Sequence, residues 1–171
     1  MSSTHILLGS LTGIYTTEYV PKGTIFETQG RAYVFTYNFG ADTYAAGDVV
    51  SISTTFVHGN VSTTAATIAD VTDGTTIRPV FAGIALAAIP TTNYGWLWFR
   101  GKGTHAITTD GNVVANDLLT VTDGAKIAVR EVTAAQVTSG IIGRAWATDV
   151  STTLSLTELG GSGSYNWART N

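Results

Sequence analysis

Three histidines and no cysteine are available to this chain for metal-binding or nucleophilic chemistry. His5, His58 and His105 lie far apart, and none has a second histidine four residues away, the spacing that places two ligands on one helix face. Without cysteine the chain forms neither disulfides nor thiolate metal sites, and the redox compartment cannot be inferred. The sequence therefore predicts no bound metal ion and no cofactor.

The other polar residues lack the arrangements that catalysis requires. Residues 161–164 (GSGS) resemble a nucleophile elbow only superficially, because they stand in a tail without a scaffold. Residues 101–104 lack the upstream glycine and the following helix of a phosphate-binding loop. Nothing in the spacing of the glutamates singles out a pair for glycoside hydrolysis. We interpret the protein as a non-enzyme.

The strongest binding candidate is an aromatic run near the middle of the chain. In a strand, side chains alternate between two faces, so Tyr94, Trp96 and Trp98 share one face while Leu97 and Phe99 share the other. Tryptophan and tyrosine are favoured in protein interfaces, and their rings also stack on sugars. Three interpretations stay open: a strand at the centre of the core, a subunit interface, or a sugar-stacking face.

The composition restricts both the fold and the partners. A chain of 171 residues is long enough for one domain with a substantial core. Charged residues make up only 12% of it, so threonine, serine, asparagine and glycine must cover much of the surface, and these favour turns and strand edges. A net charge of -3 with nine scattered basic residues argues against nucleic-acid binding.

Local patterns predict strands over most of the chain. Tyr33, Phe35 and Tyr37 alternate with other residues, which predicts a strand with these three side chains facing inward. No long stretch combines apolar residues at helical spacing with proper caps. The best helix candidates are residues 83–89, which end before a proline, and residues 133–137, each long enough for one or two turns.

Asp-Gly pairs mark turns between the predicted strands. They begin at Asp73, Asp110 and Asp123, and such pairs readily adopt the positive φ angles of tight hairpins. None has the additional ligands of an EF-hand calcium loop. Residues 118–130 form the clearest predicted hairpin. The predicted fold class is all-β, an antiparallel β-sandwich or barrel with short helical turns and extended terminal arms.

The sequence also contains an internal echo. Residues 46–52 (AGDVVSI) resemble residues 115–121 (ANDLLTV), and a small-residue segment follows each later, at residues 82–85 and 142–145. The spacings within the two halves differ. Two similar packed sheets would explain the echo, and so would the ordinary likeness of turn and strand units in any β-protein.

The N-terminal end differs from the middle of the chain. Residues 1–24 contain the apolar Ile6, Leu7 and Leu8 but no convincing alternation, so they are predicted to form an arm, followed by a β-domain over residues 25–159. The first residues lack a basic leader and an apolar stretch long enough for a signal peptide or membrane span. We therefore expect a soluble protein made in the cytoplasm.

The C-terminal end is predicted to be a flexible tail. Residues 160–171 begin with a Gly/Ser linker and continue with the aromatic Tyr165 and Trp167. These rings suit an arm that lies on a neighbouring chain, although a tail folded back on its own domain also fits. The complete set of candidate interface residues is Tyr94, Trp96, Trp98, Ile6, Leu7, Leu8, Tyr165 and Trp167.

A succession of short motifs resembles the small structural proteins of tailed-bacteriophage particles. The motifs are KGTI at 22–25, GRAYVFTY at 30–37, AAGDVV at 45–50, GIA at 83–85, YGW at 94–96 and GRA at 143–145. The resemblance covers about residues 20–159. It implies a capsid decoration or cement protein on the virion surface, commonly a trimer at local three-fold positions, with the major capsid protein as partner.

One alternative function from another class remains. The face formed by Tyr94, Trp96 and Trp98 would also suit a carbohydrate-binding or adhesin-like β-domain of a phage particle. A decoration protein would need no saccharide, whereas an adhesin-like domain would need no terminal arms.

Overall fold

The computed structural model of the chain describes residues 9–38, 43–52, 62–63, 80–121, 128–130, 142–155 and 157–159. Every regular element within these ranges is a β-strand, which confirms the all-β class. The strands are β1 (Ile25–Thr28), β2 (Arg31–Asn38), β3 (Val49–Ile52), β4 (Ser62–Thr63), β5 (Val80–Ala85), β6 (Tyr94–Gly103), β7 (Ile107–Thr108), β8 (Leu118–Val121), β9 (Ala128–Arg130), β10 (Gly143–Ala145), β11 (Thr153–Leu154) and β12 (Thr157–Leu159). In these ranges no helix is long and apolar enough to cross a membrane.

Strand β6 connects the parts of the main sheet. The hydrogen-bonded order is β1, β2, β6, β12, β10, β8, β9, with β5 also paired to β6 and β3 paired to β5. These pairings are antiparallel, whereas β4 runs parallel to β2. The described strands do not close into a barrel, so the architecture is an open, sandwich-like all-β fold. A separate ribbon joins β7 to β11.

Strand β6 is buried on both faces, as its sequence predicts. Trp96 and Trp98 belong to a first hydrophobic core, and Leu97 and Phe99 belong to a second. The first core also contains Tyr33, Phe35, Val49, Ile84, Ile107, Val113, Leu119, Ile142, Ala145 and Leu159. The second also contains Ala32, Val34, Tyr44, Val50, Ala85 and Ile89. Of the three interpretations left open for this strand, the structure shows the first, a strand at the centre of the core.

A bend at Gly101 lets β6 serve two groups of strands. Up to Arg100 the strand pairs with β2, and from Gly101 onward it pairs with β12. Gly101 has a φ of +97°, a left-handed conformation that costs a residue with a Cβ atom extra energy. A Cβ at this position would also collide with the backbone of Gly30 and Arg31. Glycine is therefore required where the strand changes partner.

The sequence echo corresponds to two similar turns. In the first turn the Asp48 carboxylate accepts a hydrogen bond from the Ala45 N–H at 2.8 Å, and in the second Asp117 accepts one from Val114 at 2.9 Å. The third residue of each turn has a positive φ, +91° at Gly47 and +79° at Asn116. Both turns thus use the same backbone geometry and the same carboxylate cap.

The strands that follow the two turns are paired alike. Val50 lies opposite Gly83, just as Leu119 lies opposite Gly143. The Ala85 N–H donates to the Asp48 carbonyl at 2.9 Å, and the Ala145 N–H donates to the Asp117 carbonyl at the same distance. The echo is therefore a structural repeat and not a chance likeness of turn and strand units. Its spacings differ because the segments that join the paired strands differ in length.

The structure contradicts the helical prediction for residues 83–89. Gly83 to Ala85 belong to β5, a bend follows, and Ile89 forms an isolated bridge with Tyr44. Pairing with β3 on one side and β6 on the other satisfies the backbone here, so tertiary contacts override a weak local preference. The second candidate, residues 133–137, lies outside the described residues.

Two of the hairpin predictions are tested. Leu119 pairs with Arg130 and Val121 with Ala128, which confirms the hairpin over residues 118–130. The turn at Asp110 is not a hairpin turn, because β7 before it pairs with β11 instead of with the next strand. The Asp110 carboxylate accepts the Asn112 N–H and so closes a local loop. The turn at Asp73 lies outside the described residues.

The repeated turns yield a matched prediction. Asp48→Ala removes a buried carboxylate acceptor and should lower the free energy of unfolding by about 1–3 kcal/mol, whereas Asp117→Ala, at a half-buried site, should cost about 1 kcal/mol. Asp48→Asn keeps an acceptor oxygen and serves as the control. Urea denaturation followed by circular dichroism measures all three. Equal stability of Asp48→Ala and the wild type would contradict the role given to this turn.

Candidate functional site

The structure corrects the assignment of two predicted interface residues. Trp96 is 1% exposed and Trp98 is 0% exposed, so neither ring can stack on a ligand or partner at the surface. The Trp98 indole N–H donates to the Arg100 carbonyl at 2.8 Å, which holds the ring in place. Packing of a hydrophobic core on this face explains the burial. Tyr94, the third member of the predicted face, is only half-buried.

The remaining candidate interface residues lie outside the described residues. Ile6, Leu7 and Leu8 lie before the first described residue, and Tyr165 and Trp167 lie after the last. Their role as partner-binding residues stays a prediction. The candidate site described below is accordingly built around Tyr94.

Tyr94 belongs to a group of four tyrosines that reaches the surface. This tyrosine cluster consists of Tyr15, Tyr19, Tyr37 and Tyr94. The rings of Tyr37 and Tyr94 are 4.6 Å apart between centroids, and those of Tyr15 and Tyr19 are stacked at 5.4 Å with 12° between their planes. The buried Phe35 joins the two pairs, with its centroid 5.8 Å from Tyr15 and 5.7 Å from Tyr94. The cluster is thus an extension of the aromatic core.

Backbone pairing positions the tyrosine cluster. The Tyr15 N–H donates to the Tyr94 carbonyl at 3.0 Å, and the Tyr94 N–H donates to the Tyr15 carbonyl at 2.8 Å. The Tyr15 hydroxyl donates to the Ser10 carbonyl at 3.1 Å, which closes the preceding loop over the ring. Residues 9–15, the first part of the predicted N-terminal arm to be described, therefore lie against the end of β6.

A second attachment holds the chain between Tyr19 and β1. The Phe35 N–H donates to the Thr24 carbonyl at 2.9 Å, and the Gly23 N–H donates to the Phe35 carbonyl at 2.8 Å. The Lys22 ammonium lies 5.7 Å from the centroid of the Tyr37 ring, within the range of a cation–π contact. Backbone pairing at both ends of this segment fixes Tyr15 and Tyr19 without burying them.

The tyrosine cluster has the properties of a binding surface. Tyr19 is 50% exposed, and tyrosine rings provide large contact area at a small cost in side-chain entropy. Because the stacked rings are already ordered, a partner loses little of their freedom on binding. While the rings pack against a partner, their phenolic hydroxyl groups can form hydrogen bonds at the edge of the contact. The arrangement suits recognition of a partner.

His105 forms a separate polar feature beside the first core. Its Nε2 lies 3.1 Å from the Tyr33 hydroxyl, and its ring centroid lies 5.2 Å from that of Trp98. Burial, and secondly the positive charge of Arg31, lower the pKa of His105 below its ordinary value of 6.5. The neutral imidazole can accept the Tyr33 hydrogen bond. The structure therefore shows a half-buried, hydrogen-bonded histidine at this position.

Metal binding finds no candidate within the described ranges. Among those residues no three histidine, aspartate or glutamate side chains come together to hold an ion. The Asp149 carboxylate, which accepts the Thr109 hydroxyl at 2.6 Å and the Val113 N–H at 3.2 Å, serves instead to fix the loop that precedes β8.

Sequence reasoning missed most of the tyrosine cluster. Tyr15 and Tyr19 stand in a segment without alternation, so nothing local indicates that their rings stack on the core. Tyr37 shares a side with Tyr33 and Phe35 as predicted, but it lies near the end of β2 and is only half-buried. The one available signal is the four-residue spacing of two tyrosines in an otherwise polar stretch, and that signal is weak.

Comparison with known proteins identifies no relative of the chain. No family model matches the sequence. Searches against curated proteins and against solved structures likewise produced no match.

Tyr15 is predicted to anchor the segment before β1. Tyr15→Ala removes the stacking partner of Tyr19 and the cover on Phe35, so amide hydrogen exchange over residues 9–24 should accelerate at least about tenfold. Exchange within β8 and β10 should stay unchanged. Tyr15→Phe keeps the ring, removes only the hydroxyl bond to Ser10 and should have a smaller effect. Uniform acceleration across the whole domain would contradict a local anchoring role.

The lowered pKa of His105 predicts a pH-dependent stability. The unfolded histidine takes up a proton near its ordinary pKa of 6.5, while the folded one does so only at lower pH. The unfolded state therefore binds more protons between the two values, and the stability contribution present above pH 6.5 is lost as the pH falls toward the folded pKa. Thermal unfolding across this range should show the loss, and His105→Gln should reduce it.

An NMR titration provides the direct check on His105. The ring proton signals of this residue should report a midpoint below 6.5 in the folded protein. A midpoint at or above the ordinary value would contradict the effect assigned to burial.

Proposed function

We propose that the chain is a non-enzymatic structural protein of a tailed-phage particle, a decoration protein that binds the outer surface of the head. In this role it stabilises the lattice of the major capsid protein. The observation that supports the proposal best is the ordered, partly exposed tyrosine cluster at the end of β6, which offers a surface for recognition.

The tyrosine content of the cluster favours protein binding. Protein interfaces are enriched in tyrosine and depleted of lysine, aspartate and glutamate at their centres. A partner that covers Tyr19 would meet two charged neighbours, Glu18 and Lys22, of which Lys22 already lies against the Tyr37 ring. In the whole chain only 12% of residues are charged, which limits the number of ions that a partner must desolvate.

The sequence motifs support the choice of partner. Their resemblance to small phage particle proteins implies binding to the major capsid protein, and it favours a homotrimer. A trimer on a regular shell gains from multivalency, because each bound copy raises the effective concentration of the next contact. Weak individual contacts through tyrosine rings would then suffice. On this proposal the protein is made in the host cytoplasm and ends in the virion.

The terminal segments would add further contacts in this role. The described part of the N-terminal segment, which begins at residue 9, lies beside the tyrosine cluster. Ile6, Leu7 and Leu8 would extend the surface with apolar side chains. Segments that become ordered on binding lose conformational entropy, but they can cover large areas of a partner.

Binding to purified heads tests the proposal. Expanded heads assembled from the major capsid protein of the same genome should co-sediment with the wild-type chain. Tyr19→Ala should weaken this binding about tenfold or more, as expected for an interface hot spot. Val150→Ala removes another exposed side chain, one that is 75% exposed, and should leave binding unchanged. Failure of the wild-type chain to bind would refute the proposed function.

A further inference from the structure

A second aromatic surface lies on the strands beyond the bend of β6. Trp146 follows β10 directly and is 38% exposed, although Ala145 before it is completely buried. Side chains alternate along an extended chain, so Trp146 and Arg144 both point away from the core. Together with Lys102 on β6 and Glu158 on β12 they form a surface that we name the Trp146 patch.

The indole ring of Trp146 is held by two neighbouring strands. Its N–H donates to Glu158 Oε2 at 3.1 Å, and the Lys102 ammonium lies 4.2 Å from the ring centroid. Lys102 and Glu158 are direct cross-strand neighbours. The hydrogen bond fixes the orientation of the ring before any ligand arrives, which reduces the entropy lost on binding.

Charged side chains form a row across three strands next to this ring. Arg144 lies opposite Glu158, and Glu158 lies opposite Lys102. Arg144 and Lys102 are exposed, and Glu158 is half-buried. The row therefore presents hydrogen-bond donors on both sides of a carboxylate acceptor, all carried by paired strands instead of loops. Binding groups on such elements are held more firmly than groups on loops.

We propose that the Trp146 patch binds a saccharide. The apolar C–H face of a pyranose ring stacks on an exposed aromatic ring, while its hydroxyl groups both donate and accept hydrogen bonds. Trp146 supplies the ring, Lys102 and Arg144 supply donors, and Glu158 supplies an acceptor. This site differs from the face of Tyr94, Trp96 and Trp98 that the sequence suggests for sugar binding, and it does not depend on the proposed function.

The position of Lys102 is compatible with a sugar ligand. Its ammonium covers part of the indole ring, but its side chain is exposed, and exposed cation–π contacts are weak. A sugar can therefore displace the ammonium from the ring and accept a hydrogen bond from it. Lys102 and Glu158, the two residues in direct contact with the ring, are of types depleted at the centres of protein interfaces, which favours a sugar over a protein.

A glycan array followed by NMR titration tests this site on the full chain. The array identifies a binding oligosaccharide, and that oligosaccharide is then titrated against ¹⁵N-labelled protein. The indole N–H signal of Trp146, assigned from its loss in Trp146→Phe, should shift on titration. Trp146→Ala should weaken binding about tenfold or more. Tyr19→Ala, which removes an exposed ring from the tyrosine cluster, should bind as the wild type does.

Several results would overturn the saccharide proposal. One is the absence of binding to every glycan tested, and another is binding that persists unchanged in Trp146→Ala. Equal losses in Trp146→Ala and Tyr19→Ala would place the ligand elsewhere. Self-association abolished by Trp146→Ala, without glycan binding, would assign the patch to contacts between copies of the chain. Circular dichroism of each variant confirms that a loss of binding does not come from unfolding.

Discussion

The burial of β6 on both faces is the constraint on which the rest of the fold depends. A strand with Trp96 and Trp98 on one side and Leu97 and Phe99 on the other is stable in water only if both faces are covered. Burial of each large apolar side chain contributes roughly 1.5–3 kcal/mol. The neighbouring strands cover each face of β6 with one of the two hydrophobic cores. Both cores are therefore built on this strand.

The structural repeat follows from the same arrangement. Each half contains a turn closed by an aspartate, a strand, and a returning segment with glycine and alanine, and the two halves meet along β6. Gly83 and Gly143 occupy corresponding positions where a Cβ atom would collide with the adjacent strand. The close approach of these strands explains why the small-residue motif occurs twice. The bend at Gly101 then directs the two halves along different parts of one strand.

The two candidate binding surfaces lie at opposite ends of β6. The tyrosine cluster is attached to the beginning of the strand through Tyr94, and the Trp146 patch is attached beyond the bend through Lys102. They differ in chemistry, since the first contains four tyrosine rings with Lys22 against one of them, and the second combines one ring with a row of charges. Both surfaces are attached to the same strand, which is buried on both faces between them.

Period-two alternation and turn chemistry are local, and for that reason the sequence alone determined the all-β class, the two apolar faces of β6 and the hairpin of β8 and β9. The same alternation fits a core strand and an interface strand equally well. Only the tertiary structure decided that Trp96 and Trp98 are buried, that residues 83–85 form a strand, and that Tyr15 stacks on Phe35. The tertiary structure alone also showed that Trp146 is exposed. Burial depends on pairing between strands that are distant in sequence, and no local pattern specifies that pairing.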